Sequence, residues 1–348
     1  MSFDSLSRRS VASGRETVIA LAIFAVCYGA VLFVTPFERN AYAFNNFVVL
    51  MTPLAIAAAG TTLVLITGGF DLSVAGTISL ANVVAATTMA KYPSMLWLVI
   101  IGVIAMGLLV GLINGLLIVK VGLQSLAVTL GAFIVLTGIA LVILPAPGGE
   151  VPESYALALV DPIGVLPVAA IVLAVLAVAW WLFSTSPIGV SAFAIGADRQ
   201  AARMSGIKVD GVEVLCYTLA GGLYAAAGLY LTAITASGDP NSGRPFLLTC
   251  FAAMALGLVG FKGGSGSAVA AMLGAGSLIA LPKLLFAAGV EDFWSGALQG
   301  VVIILALALP ILGRRMSAAR AASSASPTAR TAVAVQASST QNPEKVAR

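Results

Sequence analysis

The sequence predicts an all-α integral membrane protein with about ten transmembrane helices, and three observations lead to this fold class. Of its 348 residues, 60% are hydrophobic and only 9% are charged, and the mean hydropathy is +1.05. A soluble domain carries about 25% charged residues, so this chain lacks the polar side chains that would cover a water-soluble fold. Apolar runs of about 20 residues recur along the chain, which is the length of a membrane-spanning helix rather than of a barrel strand.

Ten apolar runs are predicted as spans, and each run ends at Gly, Pro or charged residues. They cover residues 17–37, 45–67, 72–90, 94–119, 123–144, 164–184, 213–236, 246–261, 266–288 and 293–313. The eighth run is short enough to be re-entrant or broken.

The runs divide the chain into three parts. Residues 1–16 are predicted as a cytoplasmic N-terminal segment, and residues 17–313 as the transmembrane domain. Residues 314–348 are rich in Ala, Ser and Thr and show no apolar period. Such a composition is typical of a disordered tail.

The basic residues predict the orientation, because Lys and Arg concentrate in cytoplasmic loops. With the N-terminus inside, eleven basic residues lie on the cytoplasmic side, namely Arg8, Arg9, Arg15, Lys120, Arg199, Arg203, Lys208, Lys262, Arg314, Arg315 and Arg320. Three lie in outer loops, namely Arg39, Lys91 and Arg244. The loop 145–163, which has three acidic residues and no Lys or Arg, is then external. We therefore expect both termini to be cytoplasmic.

Several functional classes are disfavoured by the residue types. The chain has no His, which is the commonest general base and metal ligand. Cys27, Cys216 and Cys250 lie inside apolar runs, so we expect buried packing residues rather than a disulfide or a metal site. The basic residues are scattered and form no nucleic-acid-binding patch. We expect no catalytic residue, no metal and no cofactor in this chain.

The stretch LITGGFDLS, residues 65–73, raises the first functional question. Between Phe47 and Ala90 the only ionised residue is Asp71, and it follows a pair of glycines. In one interpretation Gly68–Gly69 separates two spans, and Asp71 or Ser73 caps the next helix. In the other, a discontinuous helix lines a polar pathway, because ionisable groups at membrane depth tend to mark such pathways. Asn82 is then expected to face the same cavity.

The loop 184–214 raises the second question, because it is the longest polar segment inside the membrane domain. Residues 198–205 are predicted to form a short helix, with Asp198 as N-cap and Gly206 as the stop. Such a helix can lie on lipid headgroups or dock into a groove of a partner. Its apolar face is small (Ala201, Ala202 and Met204), which favours a protein groove.

Three glycines on the fourth predicted span give a packing signal. Gly107, Gly111 and Gly115 recur at four-residue spacing and therefore share one helix face. Small residues at this spacing let two membrane helices approach closely.

Three segments carry a resemblance to a known family, namely TGGFDLSVAGTISLANVVAA, GLINGLLIVKVGLQSLAVTLGAFIVLTGIAL and FAIGADRQAARMSGIKV. In this order and spacing they resemble the permease subunits of bacterial ABC importers of the ribose/xylose sugar family. The resemblance extends from about Asn45 to Pro310 and implies the ABC importer permease fold. It identifies residues 197–207 as a cytoplasmic coupling helix that docks on the ATPase. The matching positions are Gly196, Arg199, Ala201, Ala202, Arg203, Ser205 and Gly206. Arg203 is expected to pair with a carboxylate of the ATPase.

The resemblance implies a transport function without chemistry of its own. The expected partners are an ATP-binding cassette ATPase subunit, a periplasmic or extracellular substrate-binding protein, a second permease copy or a paralogue, and membrane lipid. The expected location is the bacterial inner membrane. A pathway with few charges and many polar residues suits a monosaccharide or related polyol. The candidate pathway residues are Asp71, Ser73, Asn82, Asn114, Gln124 and Thr129, and the alternative for each is a helix–helix hydrogen bond.

Other functions remain open from the sequence. This chain has SGRPFLLTC at 242–250, where members of the family often carry an acidic residue, and this departure bears on the substrate. A branched-chain amino-acid permease has a similar architecture. An ion-coupled secondary transporter would need intramembrane ionisable groups, for which only Asp71 and Lys283 are candidates. A non-transporting membrane scaffold is the last alternative.

Overall fold

The computed structural model describes residues 3–290 and, beyond them, Trp294, Ala297, Gly300, Val301 and Ile304. Most of the tenth predicted span and the whole predicted tail 314–348 lie outside the described residues. The elements are α1 (Phe3–Val34), α2 (Ala41–Leu65), α3 (Val74–Lys91), α4 (Leu96–Val119), α5 (Ser125–Ile143), α6 (Glu153–Val160), β1 (Pro162–Ile163), β2 (Leu166–Pro167), α7 (Val168–Thr185), α8 (Pro187–Ala197), α9 (Arg199–Met204), α10 (Val209–Thr235), α11 (Phe246–Leu256) and α12 (Ala268–Ala287).

The all-α membrane class predicted from composition is confirmed. Within the described residues, seven segments are helical, long and apolar enough to cross a membrane, namely Gly14–Val34, Ala41–Leu65, Pro93–Val119, Ser125–Ile143, Val168–Thr185, Val209–Thr235 and Ala268–Ala287. The third and eighth predicted spans correspond to α3 and to the short helix α11. The structure adds α6, α8 and a two-stranded antiparallel hairpin, β1–β2, to the predicted helices.

The core of the protein surrounds α2 and α10. The apolar window of α2 is 94% buried and that of α10 is 61% buried, whereas those of α1 and α7 are 11% buried. Helix α10 packs against α2, α3 and α4, and α12 packs against α1, α2 and α11. Polar side chains on α2 and α10 are therefore shielded by neighbouring helices.

The glycine stripe of α4 makes the predicted close approach. Gly107, Gly111 and Gly115 are buried, and each faces the backbone of α10. A Cβ on Gly111 would overlap the carbonyl oxygen of Tyr217, and a Cβ on Gly107 would overlap that of Gly221. The two helices are thus in contact through their backbones, which any larger residue at these positions would prevent.

Lys283, a candidate coupling group in the sequence, has an ionic partner in the structure. Its Nζ donates to the Oε1 of Glu38 at 2.6 Å, and Glu38 belongs to a 3-10 turn, Pro36–Glu38, that follows α1. The pairing arises because α1 and α12 pack side by side. Lys283 is therefore part of an ion pair near the connection between α1 and α2.

Candidate functional site

The first polar cluster lies at the break between α2 and α3. Helix α2 ends at Leu65, Gly68 has a φ of +88°, and α3 begins at Val74, so the predicted break is confirmed. Gly69 passes so close to α10 that a Cβ would overlap the hydroxyl of Tyr217. That hydroxyl donates to the carbonyl oxygen of Phe70 at 3.3 Å. The break is therefore held against α10, and sequence reasoning missed Tyr217.

Asp71 is completely buried and bonds to its near neighbour in sequence. Its Oδ1 accepts from the backbone N–H of Ser73 at 2.9 Å and from the Ser73 hydroxyl at 2.6 Å. The Nδ2 of Asn114 donates to the Ser73 Oγ at 3.0 Å, so α4 joins the same network. Asp71 thus closes the turn before α3 and, through Ser73, links this turn to α4.

The second Asp71 oxygen lies near the Tyr224 hydroxyl of α10. Neither Asp71 Oδ2 nor the buried Tyr224 hydroxyl makes a hydrogen bond of ordinary geometry among the described residues, although the two groups are near enough to influence each other. Tyr224 lies on α10, against Gly60 of α2. Buried polar groups are normally paired, and at this corner between α2, α3 and α10 the Tyr224 hydroxyl is the group placed to pair with Asp71.

Asn82 has different hydrogen-bond partners from Asp71, and the expectation that the two face one cavity stays a prediction. Its Nδ2 donates to Thr232 Oγ1 at 2.9 Å and to the Ser237 carbonyl at 3.1 Å. Its Oδ1 accepts from the backbone N–H of Asp239 at 2.7 Å. Asn82 lies nine residues beyond Ser73 along the chain, or about 13 Å along a helix. It binds the segment that follows α10 rather than the break before α3.

The segment 237–245, which contains the Arg244 expected in an outer loop, packs against α3. Gly238 pairs with Gly148, and farther along the segment the Gly243 N–H donates to Ser79 Oγ at 2.9 Å. A Cβ on Gly243 would overlap the Ala75 carbonyl. The segment therefore runs beside α3 toward its first turns before α11 begins. Hydropathy did not indicate this path, because the segment is polar.

The remaining two pathway candidates differ in their surroundings. Thr129 is buried on α5, and its hydroxyl donates to the carbonyl of Ser125 at 2.8 Å. Gln124 is exposed and immediately precedes α5. Five of the six candidates are thus buried and take part in hydrogen bonds within the chain. Among the six, the structure brings Asp71, Ser73 and Asn114 into one network.

The short helix predicted at 198–205 is present as α9. Asp198 Oδ1 accepts from the N–H groups of Gln200 and Ala201, both at 3.0 Å, which is the predicted cap. Gly206 ends the helix with a φ of +81°. Ala202 is buried against Ile195 and Val209, whereas Ala201, Met204 and Ser205 remain exposed.

Ion pairs hold α9 on the start of α10. Arg199 binds Glu213 in a bidentate fashion, with Nε–Oε1 at 2.9 Å and Nη2–Oε2 at 2.7 Å. This hydrogen bonding raises the pKa of Arg199 above its ordinary value. The Nη2 of Arg203 donates to Asp210 Oδ1 at 2.7 Å, and Lys120 lies 3.9 Å from the other oxygen of Asp210. Arg203 thus has a carboxylate partner within its own chain, and sequence reasoning missed Asp210 and Glu213.

Gly196 connects this cytoplasmic segment to the break after α2. A Cβ on Gly196 would overlap the carbonyl of Ile66 and the backbone nitrogen of Gly264. The Gly264 N–H donates to the Ile66 carbonyl at 2.8 Å. The end of α2, the end of α8 and the turn between α11 and α12 therefore meet at one point. A displacement of α8 would therefore move the backbone at the break after α2 and at the turn between α11 and α12.

Comparison with known proteins places the chain in a transport family. The model of the family described as "Branched-chain amino acid transport system / permease component" matches residues 43–307. The ribose import permease protein RbsC of Escherichia coli (strain K12) is 28% identical over 304 residues, which cover 84% of this chain and 92% of that protein. RbsC of Bacillus subtilis (strain 168) is 34% identical over 268 residues, 76% and 82% of the two chains.

A third relative is named for the import of a different solute. The autoinducer 2 import system permease protein LsrD of Klebsiella pneumoniae is 30% identical over 273 residues, which cover 76% of this chain and 80% of that protein. No solved structure matches the chain. The family match covers most of the sequence and includes the break, the segment 237–245 and α9. This multi-pass membrane protein is a transport component rather than an enzyme, and it belongs to the family of branched-chain amino acid transport system permease components.

Proposed function

We propose that this chain is the transmembrane permease subunit of an ATP-driven importer and forms the translocation pathway for a monosaccharide or related polyol. The observation that carries the proposal is the similarity, along most of the chain, to permeases named for the import of ribose and autoinducer 2. Asp71, Ser73 and Asn114 support it, because they place hydrogen-bonding groups at a helix break inside the membrane domain. Two copies, or this chain and a paralogue, enclose the pathway, and a substrate-binding protein delivers the solute.

In this proposal α9 is the docking element for the ATPase subunits. Among the exposed residues of α9 and its C-cap, Ala201, Met204 and Ser205 are uncharged and present a small surface that fits a protein groove. The Arg199–Glu213 pair transmits a movement of α9 to α10, which carries Tyr217 and Tyr224. Gly196 transmits it to the break after α2. Such packed contacts are the physical network along which coupling can pass.

The proposed orientation places the chain in the bacterial inner membrane with both termini cytoplasmic. It follows from the bias of Lys and Arg toward one side. A cysteine introduced at Ser154, at the start of α6, is expected to react with a membrane-impermeant thiol reagent in intact cells. A cysteine at Ser317, which lies outside the described residues, is expected to react only after permeabilisation. The reverse pattern would overturn this orientation.

The main alternative is a branched-chain amino-acid importer, because the family description names that substrate class. An ion-coupled transporter is less well supported. Two residues were candidates for ion coupling. Lys283 is paired with Glu38, and Asp71 bonds to Ser73. Within the described residues, neither group is part of a chain of ionisable side chains of the kind that relays protons.

The experiment that tests the proposal is uptake into proteoliposomes. The permease is assembled with the ATPase and the binding protein encoded by neighbouring genes, and ATP-dependent uptake of neutral and acidic monosaccharides is compared with that of L-leucine. We expect uptake of a monosaccharide that requires ATP and the binding protein. Uptake of L-leucine alone would support the alternative. Uptake driven by an ion gradient without ATP would exclude an ATP-driven importer.

Replacing Asp71 with alanine is expected to reduce transport per folded molecule strongly. If Asp71 only closes a turn, the loss is about 1 kcal/mol of stability, and transport by the inserted protein stays normal. If Asp71 also lines the translocation pathway, uptake falls even after it is normalised to the amount of inserted protein. Asp71→Asn is the matched control, because it keeps the Oδ1 acceptor for Ser73, removes the charge and replaces Oδ2 with an amide donor. Normal uptake by both variants would limit Asp71 to a structural role.

A further inference from the structure

The segment 237–245 brings an arginine into the membrane-spanning layer. Its path is determined by two contacts with α3, from the Asp239 N–H to Asn82 at 2.7 Å and from the Gly243 N–H to Ser79 at 2.9 Å. Ser79 precedes Lys91, the last residue of α3, by twelve positions, which is about 18 Å along the helix. Helix α3 packs against α4, α5 and α10, which all qualify as membrane spans. Arg244, the next residue after Gly243, therefore starts from a backbone position deep in this layer.

The Arg244 side chain is uncovered and has no ionic partner in the part of the chain that the structure describes. Arg244 and Pro245 are exposed, and Leu248, one turn into α11, is 72% exposed. None of the ion pairs found between described residues involves Arg244. The nearest acidic residue in the sequence, Asp239, uses its Oδ1 to accept from the Asn241 N–H at 2.8 Å.

An arginine at this depth is costly beside lipid and usually faces a water-filled cavity or the protein interior. The arrangement of the backbone adds to the local positive potential. Arg244 precedes Pro245, the N-cap of α11, and α11 is an eleven-residue helix whose N-terminus carries a partial positive charge. Residues 240–256 contain no acidic side chain. The uncovered surface formed by Arg244, Pro245 and Leu248, here called the Arg244 face, is thus electropositive.

The chemistry of the guanidinium group indicates which solute this face accommodates. Guanidinium is always charged, has five donors and no acceptor, and matches carboxylate and phosphate groups in a bidentate geometry. The hydroxyl groups of a neutral sugar can also accept from it, but only an anionic group adds the attraction of opposite charges and the bidentate match. We propose that Arg244 lies in the translocation pathway and selects a monosaccharide derivative that carries a carboxylate or phosphate group. This proposal rests on the importer function proposed above.

The test is uptake by the complete assembly of permease, ATPase and binding protein in proteoliposomes. The probes are D-gluconate, D-glucuronate and D-ribose 5-phosphate, with D-ribose and D-glucose as neutral counterparts. We expect ATP-dependent uptake of an anionic probe and at least tenfold slower uptake of it by Arg244→Gln. Arg244→Lys keeps the charge without the bidentate geometry and is expected to fall between the two.

A matched control removes one positive charge elsewhere. Lys91→Gln changes the exposed last residue of α3 and is expected to leave uptake of the same probe unchanged. The amount of inserted protein and the basal ATP hydrolysis of the assembly show whether Arg244→Gln folds and assembles normally. If the wild type imports only neutral sugars and Arg244→Gln imports them equally well, the Arg244 proposal is wrong and the sugar importer stands. Uptake of L-leucine alone would overturn both.

Labelling gives a second, independent readout. Arg244→Cys, in a background where Cys27, Cys216 and Cys250 are replaced by alanine, is expected to react with a membrane-impermeant thiol reagent. We also expect an anionic probe that is imported by the wild type to leave this reactivity largely unchanged in the variant, because the guanidinium that would hold it is absent. If the thiol introduced by Arg244→Cys reacts with no water-soluble reagent, the Arg244 face is covered by lipid or protein, and the proposal is overturned.

Discussion

Replacing Gly206 with proline is expected to leave the permease in the membrane and to reduce strongly the substrate-stimulated ATP hydrolysis of the assembled transporter. Gly206 has a φ of +81° and donates to the Arg203 carbonyl at 3.1 Å. Proline fixes φ near −65° and has no N–H, so the turn from α9 into α10 cannot form. A coupling free energy of 1–3 kcal/mol corresponds to about 5- to 150-fold in affinity, and we expect a loss of stimulation of about tenfold or more.

The measurement combines stimulated ATP hydrolysis with co-purification of the ATPase subunits. Gly211→Ala is the matched control, because Gly211 lies near the start of α10 and an added Cβ would meet nothing within 4 Å. This variant is expected to behave as the wild type. Normal co-purification and normal stimulation in Gly206→Pro would show that the proposed docking role of α9 is wrong.

The role of Arg203 can be separated from that of its partner. Arg203→Glu places a second negative charge beside Asp210, whose Oδ1 lies 2.7 Å from the guanidinium that is lost, and is expected to detach α9 and uncouple the transporter. Arg203→Gln and Asp210→Asn each break the same ion pair without introducing repulsion. If Arg203 acts only through Asp210, Arg203→Gln lowers stimulated hydrolysis no more than Asp210→Asn, which also removes the contacts of Asp210 with Lys120 and Arg199. If it also contacts the ATPase, Arg203→Gln has the larger effect.

Replacing Gly111 with leucine is expected to prevent correct packing of α4 on α10 and to lower the yield of folded permease sharply. Even one added Cβ overlaps the Tyr217 carbonyl, which belongs to backbone and has little room to move. Overpacking of a core costs about 1–3 kcal/mol and occasionally more, and we expect the upper end here. The measurement is the monodisperse fraction after detergent extraction, together with the midpoint of thermal unfolding.

The same substitution at Gly102 provides the control for helix α4. Gly102 is exposed, and a Cβ there meets nothing within 4 Å. Leucine is a better helix former than glycine by up to about 1 kcal/mol, so Gly102→Leu is expected to fold as well as the wild type. Equal losses in both variants would mean that the effect comes from the glycine-to-leucine change in general and not from contact with α10.

The sequence by itself determined the features that depend on local composition. Hydropathy identified nine of the described helices to within a few residues at most boundaries, because a membrane helix needs a continuous apolar run of fixed length. The glycine pair before Asp71 and the Asp198 cap were also readable, because backbone breaks and caps depend on neighbouring residues. The α4 glycines indicated a packing face, although their partner helix was not evident.

The tertiary structure decided which polar groups meet. The fold joins Asn82, whose hydrogen-bond partners the sequence did not indicate, to Thr232 and Asp239. It also pairs Lys283 with Glu38 and brings Glu213 onto Arg199. These partners are distant in sequence or lie in different helices, so no local pattern reports them. The polar segment 237–245 enters the helix layer because α3 supplies Ser79 and Asn82 to its backbone. Hydropathy measures transfer from water to lipid and does not register such compensation by protein groups.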